Sequence, residues 1–187
     1  AIAFRTHGEE RLLELAEAAT VPVINALTDE GHPVQVLTDL FTVQERLGSL
    51  EGKKVAWVGD GASNMARSWA EAAAIFGMEL SMASPAGFEL PEPLRHSGVR
   101  ICESPEEAVR GAEVVSTDTW TSMGQEEERA RRLAAFRGHT VDEKLLAHAP
   151  SAIVLHCLPA VRGEEITAEV MEGPQSAIFQ QAENRLH

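Results

Sequence analysis

A few short stretches of this sequence carry residue types that do chemistry. Asp118 is followed four residues later by Ser122-Met123-Gly124, with Trp120 between them. A carboxylate there suits a cationic amine, and Gly124 frees the following segment to move; a plain loop with a capping Asp reads the same way. In His156-Cys157-Leu158-Pro159 the Cys157 thiol reads as a nucleophile, as an oriented dipole or as core packing, and Pro159 marks a fixed turn open to a cis bond. His32-Pro33-Val34-Gln35 can aim an imidazole and an amide off a helix start toward an anion or a carbonyl oxygen, which polarises an acyl group; a lone His there otherwise serves as a cap. Arg5 and Arg185 each suit either a bidentate grip on a phosphate or an ordinary surface salt bridge.

Gly59-Asp60-Gly61-Ala62-Ser63-Asn64 begins like a dinucleotide fingerprint and then departs from it. Asn64 replaces the third glycine, and the next apolar run ends Met82-Ala83-Ser84 without the acid that grips a ribose hydroxyl, which weakens the reading as a dinucleotide-dependent oxidoreductase. Asn64 is then either a helix cap or first-turn residue, or an amide that holds a small substrate's carboxylate or amine.

The elements that must position these residues alternate regularly. Strands are expected near 1–4, 21–26, 55–58, 79–83, 99–102, 114–117 and 153–158. Helices are expected near 7–19, 33–47, 63–76, 105–110, 125–136, 141–148 and 164–171. Leu12, Leu13, Leu15 and Ala16 form the apolar face of the first helix, and Val36, Leu37, Leu40 and Val43 that of the second. Strand-helix alternation predicts a doubly wound α/β fold, a parallel sheet with helices on both faces, in a Rossmann-like arrangement. Ligands of such sheets sit beyond the carboxyl ends of the strands, where the residues above fall. Gly48-Ser49-Leu50-Glu51-Gly52 breaks the pattern and marks a boundary, so residues 1–48 read as the tail end of a second α/β domain and 49–187 as a domain of its own.

Composition removes several classes of function. The 187 residues are 44% hydrophobic and 24% charged, an ordinary globular balance. With 29 acidic against 16 basic side chains the formal net charge is −13 and there is no basic stripe, which disfavours nucleic acid and anionic membranes as partners. No apolar run approaches the roughly 20 residues of a membrane span. Cys102 and Cys157 form neither a disulfide framework nor a zinc-ligand spacing, which makes a cytoplasmic setting the expectation.

Taken in order, His32-Pro33-Val34-Gln35, Asp60 through Asn64, Asp118 through Gly124, His156-Cys157-Leu158-Pro159 and Gln181-Ala182-Glu183-Asn184-Arg185-Leu186-His187 closely resemble the ornithine carbamoyltransferases. The Ser-Met-Gly element and the Cys of His-Cys-Leu-Pro set that resemblance apart from the related aspartate enzymes. It implies transfer of a carbamoyl group from carbamoyl phosphate to the side-chain amine of L-ornithine, giving citrulline and phosphate, with no cofactor and no metal. By position Arg5, His32, Gln35, Cys157, Leu158 and Arg185 match the family's carbamoyl-phosphate contacts, and Asn64, Asp118, Ser122 and Met123 its ornithine contacts. Asp118, Cys157, His32 and Arg185 would then carry the chemistry, and the Ser122-Met123-Gly124 loop would close over ornithine. The family's Ser-Thr-Arg-Thr-Arg phosphate element is absent, and the final helix, about 175–187, stops short. The chain is therefore expected to be the ornithine-binding domain with the end of its neighbour attached, inactive alone and part of a homotrimer at full length. A putrescine or N-acylated ornithine transcarbamylase, and a non-catalytic ornithine-binding module, are the other readings.

Overall fold

The computed structural model describes residues 1–96, 98–121 and 128–187. A two-stranded parallel sheet pairs β1 (Ile2–Arg5) with β2 (Val23–Leu27), and α1 (Glu9–Ala18) connects them. The second sheet holds β3 (Lys54–Val58), β4 (Glu79–Ala83), β5 (Val99–Ile101), β6 (Val114–Thr117) and β7 (Ile153–His156). Its order is β5-β4-β3-β6-β7 and every pairing is parallel. The chain steps outward from β3 on one side, then returns to continue on the other. The switch point therefore lies between the carboxyl ends of β3 and β6.

Alternation along the strands sorts side chains into two cores, as a sheet covered on both faces requires. Val55 and Trp57 of β3 join Leu155 of β7 in one core, beneath α2 (Pro33–Leu47) and α3 (Asn64–Phe76). Ala56 and Val58 join Val154 in the other, beneath α6 (Glu143–Leu146) and α7 (Ala168–Met171). The remaining helices are α4 (Pro105–Val109), α5 (Arg129–Ala135) and α8 (Ile178–Asn184). The doubly wound expectation holds. Among the described residues no helix is long and apolar enough to cross a membrane.

Caps decide several helix ends. Pro33 occupies the first turn of α2, and left-handed Gly48 ends that helix at φ 81°. Ser63 accepts the Ala66 N–H at the start of α3, which makes Asn64 the first helical residue and not its cap. Asp142 and Thr167 cap α6 and α7 in the same way, so both helices are shorter than the sequence pattern suggests. Two apolar faces are narrower than predicted: of the α1 set only Leu12 is buried, while Leu13 is 56% exposed because two strands offer little to cover it. On α2, Leu37 likewise faces outward.

Candidate active site

Asp118 and Cys157 leave adjacent strands, β6 and β7, at their carboxyl ends. Ligand atoms of Asp118, His156 and Cys157 lie within 4.8 Å of one another. Thr117, the last residue of β6, donates its hydroxyl to the Val58 carbonyl at 2.7 Å and so locks β6 to the end of β3. Asp118 accepts the Thr119 N–H at 2.7 Å, as a loop-capping Asp would. Its other oxygen is left to the cluster. Burial pushes the Asp118 carboxyl above its ordinary range, against the opposing pull of the hydrogen bonds from Cys157 and the Thr119 N–H. Burial and the neighbouring Asp118 charge push the Cys157 thiol well above its usual value. Cys157 is thus held as an S–H dipole, because a thiolate here would sit buried beside a carboxylate.

The segment carrying Cys157 is held from behind. Leu158 donates its N–H to His156 Nδ1 at 2.9 Å, which places the ring proton on Nε2, and that nitrogen donates to Glu165 Oε1 at 3.0 Å. The same oxygen accepts the Val161 N–H at 2.6 Å. His156 and Glu165 side chains are wholly buried. These bonds draw the chain out of the sheet after His156, with Leu158 at φ 57°, so β7 ends two residues earlier than expected. The Leu158–Pro159 peptide is cis.

A second group gathers around the start of α2. His32 donates its backbone N–H to Ser68 Oγ of α3 at 2.8 Å, and its buried Nδ1 has no partner among the described residues. It occupies the cap position without a side-chain capping bond. Burial first, then the positive charges of Arg185 and Arg5, lower its pKa to about 4. The imidazole is therefore neutral across the physiological range. Arg185 donates to Gln35 Oε1 at 3.0 Å, while Arg5 is exposed at the end of β1. Asn64 donates to the Thr28 carbonyl at 3.0 Å, a tie from the start of α3 to the turn after β2. The structure thus gathers Arg5, His32, Gln35 and Arg185, and separately Asp118 and Cys157. Ser122 and Met123 lie outside the described residues.

One more carboxylate lies between these groups. Asp39 of α2 is fully buried, and its Oδ1 accepts the side-chain amides of Gln35 at 2.8 Å and Gln181 at 2.6 Å. Burial pushes its carboxyl up to about 7. With His32 this sets up a testable pH effect on stability. Below pH 6.5 the unfolded chain protonates His32 while the folded protein resists down to about 4, so stability is lost as pH falls through that window. Above pH 3.8 the unfolded chain ionises Asp39 while the folded protein keeps the proton to about 7, so stability is lost as pH rises. The two effects oppose each other, each on the order of 3 to 4 kcal/mol. Relative to wild type, His32→Asn should gain stability on acidification from pH 7 to 4 and Asp39→Asn should gain it on going back up. Variant-minus-wild-type differences in denaturant unfolding that stay flat across that range would refute both assignments.

The glycine turn after β3 has a local explanation. A Cβ on Gly61 would come within 2.8 Å of the Leu90 backbone nitrogen, and the Gly61 N–H donates to the Phe88 carbonyl at 2.8 Å. Glycine is needed there for close approach of the chain to itself. Asp60 pairs with buried Arg132, whose guanidinium lies over the Phe88 ring, 4.7 Å from its centroid.

A family model described as Aspartate/ornithine carbamoyltransferase, Asp/Orn binding domain, matches residues 51–187. The chain belongs to the aspartate/ornithine carbamoyltransferase family. A second model of that family, its carbamoyl-P binding domain, matches residues 1–45. The chain is 56% identical over 199 residues to an ornithine carbamoyltransferase of Sorangium cellulosum, covering 100% of this chain and 64% of the relative. It is 53% identical to one of Geobacter sulfurreducens, again covering 100% of this chain and 64% of the relative. The chain therefore spans about 64% of the length of these curated relatives. Among solved structures it is similar to ornithine carbamoyltransferase from Thermus thermophilus, with a TM-score of 0.92, 43% identity and coverage of 100% of this chain and 62% of that one. The Pyrococcus furiosus enzyme gives a TM-score of 0.92 at 39% identity, covering 100% of this chain and 64% of that one.

For this aspartate/ornithine carbamoyltransferase family member, sequence reasoning passed over Asp39, Glu165 and Ser68. Asp39 had a signal: it lies among Val36, Leu40 and Val43 on the buried face of α2, where a solvated carboxylate has no place. Glu165 had none, because Arg162-Gly163-Glu164-Glu165 reads as a charged surface turn.

Proposed function

We propose that this chain is the greater part of an enzyme that transfers the carbamoyl group of carbamoyl phosphate to the side-chain amine of L-ornithine. The observation that carries the reading is the juxtaposition of the Asp118 carboxyl and the protonated Cys157 thiol at adjoining strand ends. Asp118 accepts a hydrogen bond from the incoming neutral amine and Cys157 desolvates it beside the carbonyl carbon. The amine nitrogen forms the new C–N bond, the C–O bond to phosphate breaks, and the departing phosphate takes the amine proton. Neutral His32 and the Leu158 segment address the carbonyl oxygen as negative charge develops on it. Arg5 and Arg185, with Gln35, offset the phosphate charge. Asn64, Ser122 and Met123 are assigned to ornithine by the family resemblance.

In this reading residues 1–48 belong to the carbamoyl-phosphate domain and 49–187 to the ornithine domain, and the working protein is a cytoplasmic homotrimer. Lacking the Ser-Thr-Arg-Thr-Arg element, the 187-residue chain is expected not to turn over alone. The test is citrulline formation from carbamoyl phosphate and L-ornithine by protein isolated from its source, with intact mass taken on the same sample. Ornithine binding without citrulline, in protein of full length, would make it a binding module. Turnover of putrescine or N-acylated ornithine in preference to ornithine would move the substrate. In the full-length protein Arg185→Ala should raise the carbamoyl-phosphate KM about 10- to 100-fold, the loss of a charge-assisted bond, with the ornithine KM little changed. An unaltered donor KM would leave Arg185 a purely structural partner of Gln35.

A further inference from the structure

We infer that Asp39 is a positioning residue that sets the orientation of two side-chain amides and, through them, both halves of the site. The argument rests on what each group can donate and accept. A carboxylate oxygen only accepts, so an amide bonded to it must present its NH2 end. Gln35 and Gln181 both do so at Asp39 Oδ1. Their carbonyl ends are thereby turned outward. Gln35 Oε1 receives the Arg185 guanidinium at 3.0 Å, and Gln181 Oε1 receives the His156 backbone N–H at 2.9 Å. One buried acid on α2 therefore reaches the phosphate-side arginine in one direction and the strand end carrying Cys157 in the other. With an apolar residue at 39 either amide is free to turn over, and a flipped Gln35 would face Arg185 donor to donor.

The second oxygen of Asp39 completes the case. Oδ2 is buried and has no partner among the described residues, so a proton can reside there while Oδ1 still accepts both amides. The charged and titratable neighbours are Arg185 beyond the end of α8, Asp118 at the end of β6, and Cys157 after β7. The arrangement thus survives a change in the charge of Asp39. It depends on an acceptor at Oδ1, which asparagine also provides and alanine does not.

The assignment deepens the carbamoyl-transfer reading but can be tested without it. In the full-length protein, inorganic phosphate and carbamoyl phosphate would be titrated calorimetrically into wild type, Asp39→Ala, Asp39→Asn and Gln181→Leu, with citrulline formation and thermal unfolding measured on each. Asp39→Ala should weaken binding of both anions about tenfold or more and lower kcat, while Asp39→Asn restores both to within about threefold of wild type. Gln181→Leu should lower kcat and leave inorganic-phosphate affinity unchanged, because Gln181 bonds Asp39 and the His156 N–H while Gln35 and Arg185 keep their own bonds. Equal behaviour of the alanine and asparagine variants, or native anion affinity in a cooperatively folded alanine variant, overturns the assignment. If the alanine variant does not fold, Gln181→Leu decides: parallel loss of kcat and inorganic-phosphate affinity removes the proposed division. Wild-type protein that binds phosphate and makes no citrulline would sink the transfer reading alone, and the alanine-asparagine contrast in anion binding would still judge Asp39.

Discussion

Asp118→Asn in the full-length protein is expected to lower kcat/KM for ornithine by about two to three orders of magnitude, some 2–4 kcal/mol of lost transition-state stabilisation. Asparagine preserves the size of the side chain and the bond that Asp118 accepts from the Thr119 N–H. What it removes is the negative charge beside the Cys157 thiol, where the attacking amine must be held neutral and close. Folding should not suffer. Burial already disfavours the Asp118 charge, so the thermal midpoint of the variant should stay level or rise while turnover collapses. The acid limb of the pH profile gives a second check: protonating a carboxyl whose pKa is raised should cut kcat/KM at a pH above the ordinary carboxylate range. A variant with near-native kinetics would return Asp118 to the role of a loop cap.

Glu165→Ala should cost about 2–5 kcal/mol of folding stability. Glu165 Oε1 serves both His156 Nε2–H and the Val161 N–H, in a place fully closed to water. Alanine leaves the buried His156 Nε2–H with nothing to bond and releases the partly buried Val161 N–H. Glu165→Gln, which retains an oxygen at the same position, should recover most of the loss. Since His156 orients the Leu158 N–H, the alanine variant should also loosen the segment that carries Cys157 and depress kcat in whatever fraction remains folded. Urea unfolding of the two variants beside wild type measures this, and an alanine loss below about 1 kcal/mol would mean that water re-enters and satisfies the orphaned donors.

Much of the architecture could be read along the chain. Apolar runs with residues alternating between two cores announce β3 and β7, and Pro33, Gly48 and Ser63 set helix limits through φ preferences and capping bonds that depend on neighbours only a few residues away. The doubly wound order follows from alternation of strand and helix, and it places the chemistry at strand ends before any contact is known. Motif spacing likewise singled out Asp118, Cys157, His32 and Arg185. The state of each group was not legible. That the Cys157 thiol keeps its proton follows from burial and from the Asp118 carboxyl beside it, and that His32 stays neutral follows from burial near two arginines. Asp39 and Gln181 lie 142 residues apart in sequence, and Glu165 differs from a surface acid only in what covers it. Local sequence determines which conformations a segment prefers; whether a polar side chain is solvated or buried, and against which partner, is decided only when distant segments pack and exclude water around it.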